Sequence, residues 1–230
     1  MKYWLIVGLV AVGVITVAAT YDSSEQFSTA TTPEQSQSTQ AAEQPEFEYA
    51  PTTEVTIPNG KEIATFAGGC FWCVEAVFQE TAGVDDVISG FAGGEEISPS
   101  YDQVAYGLTG HREAIQFTYD PLIITYSGIL DILWQSIDPT DDGGQFIDRG
   151  YIYTTAVYYH DEQQKEVTDK SVATLLADSG YDQIATDIVP FTTFYPAEEY
   201  HQDYYKKSAD RYKQYESNSG RSEYKDNLAI

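Results

Sequence analysis

The chain has 230 residues, 36 acidic against 12 basic, for a formal net charge of −24. That balance argues against nucleic acid and against anionic membrane surfaces, both of which need positive charge. With 42% hydrophobic residues there is material for a core without disulfide stapling.

From the N-terminus, residues 3–21 follow a single Lys2 and carry no charge. As a helix rising about 1.5 Å per residue this run approaches the ~30 Å of a bilayer core. It reads as a signal peptide, with Val17-Ala18-Ala19 as a small-residue cleavage site, or as a retained anchor. Either way export is expected. Residues 22–58 are rich in Ser, Thr, Gln, Glu, Ala and Pro and poor in aliphatics, which predicts a disordered tether. A globular part is placed at 59–217, followed by a tail at 218–230.

Within that part, Ile63–Ala67 reads as a strand and Val74–Glu80 as a helix. Val84–Phe91 predicts a second strand ending in glycines. Glu113–Tyr119 alternates as a half-buried strand stopped by Asp120-Pro121. Tyr126–Ser136 has Ile129, Leu130, Leu133 and Trp134 at helical spacing. Ala156–Tyr159 reads as a strand, Glu162–Leu176 as a surface helix, Ile184–Val189 as a strand and Ala197–Tyr215 as a helix. Alternating elements predict a mixed sheet with helices packed on it.

Both cysteines lie in Gly68-Gly69-Cys70-Phe71-Trp72-Cys73-Val74-Glu75. A bridge this short would contribute about 2 kcal/mol at most by chain entropy, so redox or catalytic use is the better reading. A strand leads into the motif and a helix leads out. Cys70 should therefore meet unpaired backbone N–H groups and the positive end of the dipole, both favouring thiolate.

Seven segments, taken in order, resemble the peptide methionine sulfoxide reductase A family. They are Gly-Cys-Phe-Trp-Cys-Val-Glu at 69–75, Gly-Phe-Ala-Gly-Gly at 90–94, Tyr-Asp-Gln-Val from Tyr101, and Thr-Gly-His-Arg-Glu at 109–113. Tyr-Asp-Pro from Tyr119, the run from Ile137 to Gly150, and Phe-Tyr-Pro-Ala-Glu-Glu-Tyr-His-Gln at 194–202 complete the set. The resemblance implies an α+β, ferredoxin-like fold and reduction of the S-epimer of methionine sulfoxide, free or in proteins, without a cofactor or metal. By position it makes Cys70 the nucleophile, Phe71 and Trp72 the apolar wall, Glu113 the acid, Tyr101 and Tyr153 the phenols, and Asp148 the nearby carboxylate. Phe91 stands where the family more often has tyrosine, and Leu108 where a small or polar residue is usual.

These residue types suit that chemistry. A thiolate attacks sulfoxide sulfur, a carboxylic acid in an apolar pocket supplies a proton at neutral pH, and hydroxyls hold the developing oxyanion. Sulfenic acid is left on Cys70. Many relatives carry resolving cysteines near the C-terminus; here none follows Cys73. Positions three apart on a helix lie within about 5–6 Å, so a Cys70–Cys73 disulfide is expected, reduced in turn by a thioredoxin-type dithiol. Direct reduction of the sulfenate by a small thiol is the alternative. A monomer is the expected state.

Other readings are weaker. Structural zinc would need ligands from His111, His160 and His201, which show no paired spacing. A thioredoxin-like oxidoreductase using Cys70-Phe-Trp-Cys73 would not require the acid and tyrosine segments. Asp138 to Arg149 has the look of a calcium loop, but its twelfth position is Arg149 where a bidentate glutamate is needed; a loop shaping the site is expected instead. His201 among Glu198, Glu199 and Tyr200 reads as a helix face with a structural or docking role. A tethered, non-enzymatic binding module leaves the pairing of both thiols with Phe71 and Trp72 unexplained.

Overall fold

A computed structural model describes residues 57–228. The leader or anchor at 1–21 and nearly all of the tether lie outside the described residues. Among those described, no helix is long and apolar enough to cross a membrane.

Strands β1 (Glu62–Gly68), β2 (Val84–Ala92), β3 (Arg112–Tyr119), β6 (Thr155–Tyr159), β7 (Asp187–Pro190) and β8 (Phe194–Pro196) form one sheet in the order β7-β6-β1-β3-β2-β8. The inner four, β6-β1-β3-β2, pair antiparallel throughout. With helix α1 (Phe71–Gln79) between β1 and β2, and α3 (Tyr126–Ser136) between β3 and β6, this is a ferredoxin-like βαββαβ core. β7 extends it in parallel beside β6, and β8 antiparallel beside β2. The expected α+β fold is thus observed.

The central strand β3 is buried along its whole length, not half-buried as alternation suggested. Ile115, Phe117 and Tyr119 enter the main core with Phe66, Phe78, Ile129, Leu130 and Leu133. On the opposite face Ala114 packs with Ala67, Ala92, Ala156, Tyr158 and Phe194. Alternation reports one apolar face; it cannot show that the other is covered too. Helix α4 (Glu162–Ser179) is capped by the Asp161 side chain and ends on left-handed Gly180.

Two regions depart from expectation. Residues 197–215 are not one helix: a turn runs to Asp203, whose φ is +53, then α5 (Tyr204–Lys207) and α6 (Ala209–Ser219) follow. Tertiary hydrogen bonds override the helical pattern. The Gln202 amide bridges Ser89 of β2, donating to its carbonyl and accepting from its N–H. The Asp203 N–H donates to Glu75 of α1. The segment 218–230, set apart as a tail, carries helix α7 (Arg221–Leu228), entered by an Arg221 that is 2% exposed. Its charged sequence gives no periodic apolar signal; a buried arginine ties it down.

Candidate active site

β1 ends at Gly68, and Gly69, at φ +78, turns the chain into α1. Cys70 is the N-cap; its carbonyl accepts the N–H groups of Cys73 and Val74 at 3.1 and 3.4 Å. Phe71, the first helical residue, donates its N–H to Glu113 Oε2 at 2.9 Å. Glu113 reaches that donor because it shares the β3 face of Ile115 and Phe117. It is 2% exposed, where sequence alone would put it at the surface.

A cavity of about 50 Å³ is lined by Cys70, Phe71, Trp72, Tyr101, Glu113, Asp148, Tyr153 and Tyr215. Seven of the eight residues singled out in the sequence thus meet there, drawn from four parts of the chain. The eighth, Cys73, lies one turn into α1, buried with Cys70, Ala76 and Tyr212. Both cysteines are free, and they pack against each other.

The elements place each group. Tyr101 opens the short helix α2 (Tyr101–Ala105), fixed by a Ser100–Gln103 capping box and by Glu198, which accepts the Tyr101 N–H at 3.0 Å. The loop from Asp138 folds into a small ribbon, β4 (Gly144–Gln145) with β5 (Asp148–Arg149). Two of its carboxylates are engaged internally, Asp138 with Thr140 and Asp141 with Arg149. The ribbon presents Asp148 to the cavity, and the 3-10 turn at Tyr151–Tyr153 supplies Tyr153.

Electrostatics correct one expectation. The helix N-terminus does not leave Cys70 as a resting thiolate. Burial first, then the proton shared with Cys73, push the Cys70 thiol well up. The hydrogen bond from Cys70 draws Cys73 down. One first-turn N–H is taken by Glu113, and at 5% exposure desolvation outweighs what remains of the dipole. Burial, and the neighbouring sulfur, also push the Glu113 carboxyl well up, which favours its protonated form. Tyr101 is pushed up to about 12 by burial and by Glu113, against the opposing pull of the Tyr153 hydroxyl. Burial raises Asp148 too, against the opposing pull of a Tyr215 hydrogen bond.

Sequence reasoning missed the residues that close the site from the C-terminal side. Tyr215 donates a hydrogen bond to Asp148 and lines the cavity with Cys70. Tyr212, three positions earlier on α6, packs with Cys73. Tyr204 stacks on Trp72 with ring centroids 3.8 Å apart, and the Trp72 indole N–H donates to His201 Nδ1 at 3.2 Å. His201 therefore sits buried against the aromatic wall rather than on a helix face. The one available signal was tyrosine at i and i+3 in an otherwise polar helix, which composition alone assigns to packing.

A dithiol at a strand-to-helix turn, with a buried acid and paired phenols around it, defines a thiol-dependent oxidoreductase. A family model described as peptide methionine sulfoxide reductase matches residues 62–229. The chain is 52% identical over 163 residues to the peptide methionine sulfoxide reductase MsrA of Bacillus licheniformis, covering 70% of this chain and 90% of that protein. It is 49% identical over 164 residues to MsrA of Bacillus subtilis, covering 70% and 92%. Among solved structures, reduced Mxr1 of Saccharomyces cerevisiae superposes with a TM-score of 0.63 at 32% identity, covering 69% of this chain and 91% of that one. Methionine sulfoxide reductase A of Corynebacterium diphtheriae gives 0.59 at 31%, covering 66% and 76%. The chain belongs to the peptide methionine sulfoxide reductase A family and is an oxidoreductase acting on methionine sulfoxide. The thioredoxin-like alternative is not favoured.

Proposed function

We propose that the enzyme reduces the S-epimer of methionine sulfoxide with Cys70 as nucleophile and Cys73 as resolving thiol. The observation that carries this reading is the cavity itself. It gathers one thiol, two carboxyls, three phenols and an aromatic wall around a space for a small group.

In this reading the substrate S-methyl lies on Phe71 and Trp72, where apolar, polarisable surfaces suit it. The sulfoxide oxygen faces Glu113, Tyr101 and Tyr153. Cys70 sulfur attacks the sulfoxide sulfur and the oxygen passes to Cys70, giving methionine and a sulfenic acid. The thiol hydrogen is enough to balance that oxygen, so Glu113 acts as a relay. It gives its proton to the oxygen and recovers one from the thiol. A raised Cys70 thiol beside a raised Glu113 carboxyl is suited to such an exchange, since the proton passes between two buried groups that both resist ionising.

Cys73 then displaces water from the Cys70 sulfenic acid to form the disulfide. The packing of the two cysteines and the lowered Cys73 support this role, because the attacking sulfur must be a thiolate. An external dithiol of thioredoxin type reduces the disulfide and returns both thiols. The uncharged run at 3–21 supports a place outside the cytoplasm, and the acidic surface supports a monomer.

Single-turnover reduction of resolved sulfoxide epimers by residues 59–230, followed by intact mass, tests the whole sequence of steps. Conversion of the S-epimer alone, with protein about 2 Da lighter, is expected. A gain of about 16 Da would remove Cys73 from the mechanism. Undiminished turnover in Cys70→Ser would remove the nucleophile.

A further inference from the structure

Arg221, the first residue of α7, is 2% exposed and lies behind the catalytic turn. Its Nη2 donates to the Gly68 carbonyl at 3.0 Å, and Nη1 to the Ser136 carbonyl at 3.1 Å. The guanidinium stacks over Phe146, 4.8 Å from the ring centroid, while Nε has no partner. Its packing on the turn is close: a Cβ added at Gly69 would sit 2.6 Å from Nη2.

Among the described residues no carboxylate forms an ion pair with Arg221. The chain has 36 acidic side chains, yet this cation is set in the interior on carbonyls and a ring. A buried charge without a counter-ion costs several kcal/mol. Such an arrangement persists where the missing negative charge arises during function.

We propose that Arg221 is a positioning residue for Cys70: its guanidinium clamps the Gly68–Gly69 turn that presents the sulfur and holds a buried positive charge beside it for the thiolate formed on attack. This rests on Cys70 being the nucleophile. The other groups facing that sulfur are Cys73 from α1, Tyr215 from α6, Glu113 from β3, and Tyr101, Tyr153 and Asp148 across the cavity. Glu113 and Asp148 are themselves carboxyls raised by burial. Among the described residues, Arg221 is the cation that opposes desolvation at Cys70, and its charge draws both cysteines down. It also makes the last helix part of the site: α7 reaches the catalytic turn through a single side chain.

The test is the pH dependence of Cys70 alkylation by iodoacetamide, followed by peptide mass, in the full chain carrying Cys73→Ser. Replacing the cation by Arg221→Gln should raise the thiol pKa by about one unit, slowing alkylation at pH 7 about tenfold. Arg221→Lys, which keeps charge but not the fork, should recover most of that loss while single-turnover reduction stays slow. An unchanged profile in Arg221→Gln overturns the proposal, as does an equal shift in Gln and Lys variants, which would make the effect one of packing. Should the Gln variant not fold, citrulline at that position, isosteric and neutral, gives the same readout. Sulfoxide reduction persisting in Cys70→Ser would instead remove the nucleophile reading and leave the alkylation result standing.

Discussion

Cys70 and Glu113 stand on the sheet framework, at the end of β1 and the start of β3, whereas Trp72, Cys73 and Asp148 are completed by side chains from residues 201–215. On the framework, backbone geometry settles position: strand pairing between β1 and β3 and the turn at Gly69 bring the thiol to the acid. In the C-terminal cap, positions depend on individual long-range contacts, such as Tyr204 on Trp72, Tyr215 on Asp148 and Arg221 on Gly68. The first region assembles the reacting groups, and the second sets their charge and orientation. The difference predicts that framework substitutions stop the chemistry, while cap substitutions tune it.

The largest effect is expected for Glu113→Gln. The side chain still accepts the Phe71 N–H but no longer relays a proton, so reduction should fall about 10²–10⁴-fold. The pH profile separates this from misfolding. The native rate should decline as pH rises through the elevated Glu113 pKa, and the variant should lose that decline. A variant with native rates would place the proton donor elsewhere.

Gly69→Ala tests the turn. A Cβ there would meet Arg221 Nη2 and Gln145 Cβ, each at 2.6 Å, on a backbone at φ +78. Strain and displacement together should cost about 2–4 kcal/mol in urea unfolding. Activity should fall further than stability, because the displaced residue adjoins Cys70. A stability loss below about 0.5 kcal/mol would mean the clamp yields easily, which would weaken the link between cap and framework.

These framework features were the legible ones. Gly-Gly-Cys after a β-type run is a local signal, since a strand-to-helix turn needs glycine and leaves the next side chain at the helix start. Order and type of the inner strands and helices were legible for the same reason. The burial of Glu113 was not, because its strand face is apolar only further along. The cap was misread where local pattern and tertiary contact disagree. Glu198 to Asp203 scans as helix, yet Gln202 bonds to the edge of β2 and Asp203 to Glu75. Arg221 and Tyr215 carry no sequence mark, since their partners are 153 and 67 residues away.

Glu75 is where the two regions join. Burial pushes its carboxyl from 4.5 up to about 7, against the Asp203 N–H it accepts. The sign follows from linkage: a pKa raised on folding means the native state holds the proton more tightly. The stabilising contribution is complete below about 4.5 and is lost as pH rises through about 7. Glu75→Gln keeps an acceptor for Asp203 and removes the titration. Urea midpoints should fall more steeply between pH 5 and 8 in the native chain than in the variant, a difference of roughly 1–3 kcal/mol. Parallel curves would show that the join is not a titrating one.

Tyr215→Phe probes the cap at its most discriminating point. The phenol donates to Asp148 and faces the cavity beside Cys70, and the substitution removes one oxygen from a packed ring, so the fold should be retained. Losing a hydrogen bond to an ionisable group of this kind costs about 1.5 kcal/mol, or about tenfold in rate. Asp148, already raised by burial and opposed by this hydroxyl, should rise further, moving any Asp148-dependent limb of the profile to higher pH. Cys70 should follow, because the same hydroxyl draws it down. A uniform drop in rate with an unmoved profile would assign Tyr215 to packing alone. A loss as large as that of Glu113→Gln would place the phenol among the proton-transfer groups and erase the division between framework and cap.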